Sequence, residues 1–398
     1  MLTRQGWLCV WGGVTLFVLA RLLGIGELNV FAAVILTLVV IASLYVRLTR
    51  LDLQVDRVVH PARVHVGQAS RVQIRVRNLR TAVTPVLRLV DPVSGTAGAE
   101  LLVPPLDHGE RSAASYRLPT DRRGIVHVGP LRVVVGDPFG LAQTSTRAAP
   151  EVEVTVFPAV DDIRPVPVTT GNDPLAGVLH PHALGRTGDD FYALRPYVVG
   201  DDLRRIHWPS TARHDELLVR QQEQPWQART TVLLDVRRAG YDPESFEAAV
   251  SAAASIVATT GAQRDLIRLV TSDGTDSGFG TGTAHTHGLL EHLAVCQWTG
   301  SASLRAMLDV LRNDGQGALI VVMGHGTGDD IASTARLRGR YGLVRVVQVD
   351  LSPGPGRHRP AASEAAVIRV DADTSFPTAW DRAIVARSAA RRVVRSAR

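Results

Sequence analysis

Residues 230–271 read TTVLLDVRRAGYDPESFEAAVSAAASIVATTGAQRDLIRLVT, and this stretch decides the fold of the second half of the chain. TTVLLDV is an apolar run of strand length, PESFEAAVSAAASIVATT has the length of a helix, and DLIRLVT is a second strand. The alternation continues through a His- and Gly-rich loop, LLEHLAV, SLRAMLDVLRN, GALIVVM, DDIASTARLRGRYG, LVRVVQV, AAVIRV and a helix after Pro377. Strands alternating with helices predict an α/β domain over 228–398, with a mainly parallel sheet covered by helices on both faces. Ligands of such sheets bind at the carboxyl ends of the strands. The first strand ends in Asp235, which marks where chemistry would sit.

Upstream, residues 51–158 change to period two. In RVQIRVRN, Val72, Ile74 and Val76 alternate with Arg71, Gln73, Arg75 and Arg77, and EVEVTVF repeats the pattern with Val152, Val154 and Val156. Turn signals at Asn78, Asp91-Pro92, His108-Gly109, Arg123-Gly124 and Asp137-Pro138 come at the spacing of a small antiparallel β-sandwich. Arginines on its polar face are read as a solvated strand face beside a membrane, with nucleic acid or anionic lipid as the competing readings. Residues 159–227 then hold a Pro-rich stretch, an extended wrap or linker, followed by GDDFYALRPYVVGDDLRRIHWPSTARHDELLVRQQEQPW from Gly188 to Trp226. Two readings of this dense segment stand. In one, Asp190, Arg195, Asp201, Arg204 and Arg213 satisfy one another in a buried network, with Tyr197 and Trp208 as packing. In the other, the same groups face a partner, because arginine and aromatic residues are the usual interface anchors.

The first fifty residues depart from a soluble composition. Residues 7–25, interrupted only by Arg21, and 29–46, without charge, are each long enough to cross a hydrocarbon core about 30 Å thick. A short link between them predicts a transmembrane helical hairpin within residues 1–50, with Arg21 close enough to its end to snorkel. Arg4 precedes the first span and Arg47, Arg50 and Arg57 follow the second, so the positive-inside rule puts both ends, and the domains that follow, in the cytoplasm of a multi-pass membrane protein.

Composition narrows the chemistry. The chain has 398 residues and a formal charge of +6, and every one of its 44 basic residues is arginine. The absence of lysine excludes a P-loop ATPase using its own Walker lysine, a pyridoxal Schiff base and a serine-lysine dyad. Cys9 and Cys296 define no disulfide framework, and Cys296, four residues after His292, reads as a small buried thiol. His287 and His292 are five apart, not the four that set two ligands on one helix face, so no metal is expected there. Asp273 and Asp276 read as a turn, lacking the closing glutamate of a calcium loop.

The stretch from Gly188 to Arg220 resembles the signature of the DUF58 family, whose pattern runs G-x-D-F, R-x-Y, G-D-x-x-R-x-I-x-W and A-R. The residues that carry it are Gly188, Asp190, Phe191, Arg195, Tyr197, Gly200, Asp201, Arg204, Ile206, Trp208, Ala212 and Arg213. The upstream DRRGIVHVGPLRVVVGDPFGL, Asp121 to Leu141, is similar to the family's segment before its core. The resemblance implies two N-terminal transmembrane helices, a β-rich region and a von Willebrand factor A-like domain, in an accessory membrane protein, chaperone-like or complex-assembling, that works with a MoxR-type AAA+ ATPase. A von Willebrand factor A domain would hold a divalent cation through D-x-S-x-S, aspartate and hydroxyls being hard oxygen ligands. Here the run is Asp235-Val236-Arg237-Arg238-Ala239, with both serines replaced, so no metal or other cofactor is expected. Nor is a nucleic-acid partner or a small-molecule substrate. The expectation is a membrane-anchored scaffold, and the alternative a membrane-surface or cell-envelope binding protein without an ATPase partner.

Overall fold

Thr3 accepts a hydrogen bond from the Gly6 amide and so caps the first helix, α1 (Arg4–Leu23), which ends at Gly24 in the left-handed conformation. The second helix, α2 (Gly26–Leu48), packs against α1 as a hairpin. At 1.5 Å per residue, both are long and apolar enough to cross a membrane. Gly13 and Ala20 of α1 and Ala32 of α2 are small and buried. A Cβ at Gly13 would come within 3.0 Å of Leu36, so glycine sets the closeness of the pair. The computed structural model describes residues 1–49, 51–167, 193–198, 206–214, 216–221, 228–351 and 367–396. These divide into two units, Met1–Ala159 with Glu291–Cys296, and Val160–Leu290 with Gln297–Arg398.

After the hairpin come ten strands: β1 (Leu53–His60), β2 (Arg63–His65), β3 (Arg71–Asn78), β4 (Leu87–Asp91), β5 (Ala99–Val103), β6 (Arg111–Arg117), β7 (Gly124–Val128), β8 (Leu131–Gly136), β9 (Gln143–Ala149) and β10 (Val152–Phe157). They form three short sheets, β1-β3-β6, β2-β10-β7 and β5-β4-β8-β9. Val72, Ile74 and Val76 of β3, Leu87 and Leu89 of β4, Leu131 and Val133 of β8 and Val154 of β10 share one core. The expectation of a wholly antiparallel region is corrected at one pair. β2 runs parallel to β10, with Arg63, Val64 and His65 opposite Thr155, Val156 and Phe157. Inside this core Arg57 Nη1 pairs with Asp91 Oδ1 at 2.7 Å, both side chains buried, and the Tyr116 hydroxyl donates to Asp91 Oδ2 at 2.7 Å.

The described part of the next segment holds a small antiparallel pair, β11 (Ala193–Pro196) with β12 (Leu218–Gln221), and between them the helix α3 (Trp208–His214). The α/β elements follow as β13 (Arg229–Leu234), α4 (Pro243–Ala262), β14 (Leu266–Thr271), α5 (Gly282–Val295), α6 (Leu304–Asn313), β15 (Ala318–Met323), α7 (Gly328–Ala335), β16 (Leu343–Val349), β17 (Val367–Val370) and α8 (Phe376–Ser396). The sheet order is β14-β13-β15-β16-β17, every pair parallel. Burial on both faces explains why these strands are rich in apolar residues, most completely in the fully buried β15. Asp242 caps α4 with Pro243 in its first turn, and Ser303 caps α6. His285 and His287, expected in a loop, lie within α5.

Part of the predicted wrap is visible as a strap on this unit. The Asp161 amide donates to Ser255 Oγ of α4 at 2.9 Å, and the Arg164 amide to Asp381 Oδ1 of α8 at 3.0 Å. Trp380, 0% exposed, donates from its indole to the Arg164 carbonyl at 2.8 Å, and Ile163 and Val166 are buried.

Candidate functional site

β13 lies between β14 and β15, its successors on opposite sides, so the chain changes direction across the sheet at β13. Crevices for ligands open outside the strand ends at such a point. Here the crevice is filled from within. Asp235 follows β13 directly, its amide donating to the Val322 carbonyl of β15 at 2.8 Å, and it is 1% exposed. A buried carboxylate needs partners, and this one has several. Ser272 Oγ donates to Oδ1 at 2.9 Å and the Arg237 amide to the same oxygen at 3.1 Å. The Arg237 guanidinium grips both oxygens, Nε at 3.1 Å from Oδ1 and 3.0 Å from Oδ2, and Nη2 at 2.8 Å from Oδ2.

The same Nη2 donates at 3.1 Å to Asp330 Oδ2, so one guanidinium bridges two carboxylates from the loops after two neighbouring strands. Asp330 sits in the first turn of α7, where the Thr327 amide and hydroxyl each donate to its Oδ2 at 3.0 Å in a capping box. Burial pushes the Asp330 carboxyl up, but the Thr327 amide and the Arg237 guanidinium outweigh it and hold the group below the usual carboxylate range. Burial works against the Arg237 charge, yet Asp235 first and Asp330 second raise its pKa. Residue 237, where D-x-S-x-S would have a hydroxyl, thus supplies a cation.

The two loops are also fastened to each other. The His325 amide donates to the Gly240 carbonyl at 2.7 Å, and a Cβ on Gly324 would fall 2.1 Å from that oxygen and 2.6 Å from the Tyr241 ring. Glycine is required for this approach. Among the described residues, no group of three or more His, Cys, Asp and Glu side chains could hold a metal ion. His285 is used within the unit, its Nε2 3.0 Å from the Ile267 carbonyl.

Of the family-motif residues, Gly188, Asp190, Phe191, Gly200, Asp201 and Arg204 lie outside the described residues. Arg195 falls in β11, opposite Val219 of β12. The Tyr197 amide donates to the Leu217 carbonyl at 2.7 Å, and Ile206 is buried and bridges Val219. The Leu218 amide donates to Thr211 Oγ1 at 3.1 Å, which ties α3 to β12. On that helix Trp208 is 63% exposed and Arg213 is exposed. Sequence reasoning singled out Asp235 but missed Asp330 and Ser272. Thr327 with Asp330 three residues later was the one local signal, a capping box that fixes the carboxylate.

No curated protein matches the chain. Among solved structures, the CARDB domain of the PF1109 protein from Pyrococcus furiosus, described as in complex with di-metal ions, is 18% identical over 27% of this chain and 93% of its own, with a TM-score of 0.22. A β-glucosidase from Listeria innocua in complex with glucose is 16% identical over 26% of this chain and 16% of its own, with a TM-score of 0.18. Residues 193–354 match the family described as "Protein of unknown function DUF58". That match, spanning the exposed Trp208 and the filled strand-end site alike, supports the DUF58 family for this chain.

Proposed function

We propose that the chain is a noncatalytic, membrane-anchored scaffold whose von Willebrand factor A-like domain, with a degenerate metal loop, faces the cytoplasm and docks a MoxR-type AAA+ ATPase during complex assembly. The observation that carries this reading is the Arg237 bridge between Asp235 and Asp330. An α/β sheet of this order would hold a ligand or metal where the guanidinium now sits, so the platform needs no added cation to join its two loops. Trp208 and Arg213, exposed on α3 inside the matched segment, are residue types that anchor interfaces.

The test is a crosslinked affinity purification from native membranes with the intact chain, Trp208→Ala and Arg204→Ala. Recovery of an AAA+ ATPase with the intact chain alone supports the docking scaffold. Equal recovery from all three removes the motif from docking, and no ATPase from any of them overturns the reading.

A second reading has its own observation. On the sheet β1-β3-β6, Arg71 lies directly opposite Arg117, and Arg77 opposite Arg111, with Arg75 between them on the same face. Like charges in facing positions destabilise a sheet, so an anionic partner would relieve them. This favours a membrane-surface or envelope-binding protein. Copurified anionic lipid that disappears when Arg71 and Arg117 are both changed to Gln would support it.

A further inference from the structure

The turn Asp137-Pro138-Phe139-Gly140-Leu141, part of the segment that resembles the family, has no role in the reading above. It is built with unusual care for a turn that leaves its aromatic residue outside. Asp137 is buried, and its carboxylate accepts from the Phe139 amide at 2.9 Å and the Ala142 amide at 2.5 Å. Gly140 adopts φ +70° and its amide donates to the Asp137 carbonyl at 3.1 Å. Phe139 is nonetheless 61% exposed.

The turn is bolted to the start of the helical hairpin, within the same unit. Thr3, the cap of α1, donates from its hydroxyl to the Gly140 carbonyl at 2.6 Å, and its amide donates to the Leu141 carbonyl at 2.9 Å. A Cβ at Gly140 would lie 3.2 Å from Gln5 Oε1, and one at Gly6 would lie 2.1 Å from the Leu141 oxygen. Leu141 and Ala142 are buried with Val39, Ala42 and Val46 of α2. Phe139 is therefore one residue from atoms that touch the first turn of α1, at the level of Arg4. Trp7, in that same first turn, and Tyr45, near the end of α2, are also exposed. Aromatic rings gather at both boundaries of a bilayer, where an apolar body meets the headgroups.

We infer that the turn at residues 137–142 seats the β-rich region on the bilayer, with Phe139 inserted among the lipid headgroups as a third member of an aromatic belt begun by Trp7 and Tyr45. This rests on the reading of α1 and α2 as membrane-spanning. The occupant of the patch is lipid because the patch continues the exposed apolar surface of the hairpin at its arginine-flanked end. A second loop agrees. Val83 and Val86 are exposed, and Val83 lines a cleft shared with Tyr45, Leu48 and Thr49 at the end of α2.

The experiment uses the full chain with Cys9→Ala and Cys296→Ala, reconstituted in nanodiscs and labelled with a fluorophore at one introduced cysteine. Phe139→Cys is compared with Val34→Cys, on the exposed middle of α2, and with Ala62→Cys, beyond the far end of β1. The label at 139 is expected to be quenched by brominated lipid and shielded from iodide, as at 34, whereas the label at 62 shows the reverse. A label at 139 as open to iodide as that at 62, with 34 still shielded, overturns the seating alone. A label at 34 open to iodide overturns the membrane-spanning reading and this inference with it. Phe139→Leu, which keeps the turn and an apolar side chain, should leave the reconstituted chain seated, whereas Phe139→Asp should open a label at Val83→Cys to iodide.

Discussion

Arg237 does at the strand ends what a bound ion would do, holding two carboxylates that would otherwise repel. Replacing it with serine removes the resident charge and leaves Asp235, Asp330, Ser272 and a new hydroxyl around the vacated space, a set of hard oxygens. Calorimetry on Arg237→Ser is expected to show a stoichiometric Mn²⁺ or Mg²⁺ site, absent from the unchanged chain and from the same variant carrying Asp235→Ala. A heat of binding in the unchanged chain that disappears on Asp235→Ala would contradict this assignment. Arg237→Ala should lower stability by about 2 kcal/mol, less than a fully buried pair because the guanidinium is partly exposed. Titration gives a separate check. Burial pushes the Tyr341 hydroxyl up to about 12, and it donates to the Leu311 carbonyl at 3.0 Å. A raised pKa means that this contribution is complete below about 10 and is lost as pH rises through about 12. Tyr341→Phe should flatten the alkaline limb of the stability curve, and an unchanged limb would remove the tyrosine as its cause. Asp330 behaves oppositely. Its lowered pKa contributes stability above the ordinary carboxylate range of about 4, lost as pH falls further, and Asp330→Asn should blunt that acid loss.

At the level of elements, closeness of approach decides what can be changed. Gly317, at the entrance of β15, has φ +70°, and a Cβ there would lie 2.1 Å from the Arg229 carbonyl at the start of β13. Gly317→Ala is expected to cost about 2 kcal/mol or more, seen as a lowered melting temperature. Trp208→Ala, at an exposed position, should leave that temperature unchanged. The parallel strands were legible in the sequence because two buried faces demand mostly apolar runs, of which ALIVVM is the purest. The two N-terminal helices were legible because their apolar runs are long and nearly free of charge. Other features were not. EVEVTVF says that a strand is half-buried but not which way its neighbour runs, so the parallel β2 escaped notice. Gly278, Gly280, Gly282 and Gly288 disguised the His285 and His287 segment as loop, although helix packing carries α5 through Gly288. The Arg237 to Asp330 bond joins residues 93 apart, and no local pattern could announce it.

On the scale of the whole chain, the hairpin is more than a tether for the β-rich region. Its ends share a buried apolar cluster with Leu141 and Ala142. Removing residues 1–48 should therefore release the chain from the membrane fraction and also uncover Leu141 and Ala142, the part of the cluster left behind, detectable as increased binding of an apolar dye to the shortened chain. Release without new dye binding would show that Leu141 and Ala142 are covered by other means. The strap at 160–166 has a consequence of another kind, in the order of synthesis. Trp380 closes onto the carbonyl of Arg164, a residue 216 positions earlier. At about 5–20 residues per second, a ribosome that has finished the strap needs roughly 10–40 s more before the indole that holds it exists. The strap spends that interval without this bond, open to misassembly and to proteases, and a ribosome paused late in the message would lengthen the danger.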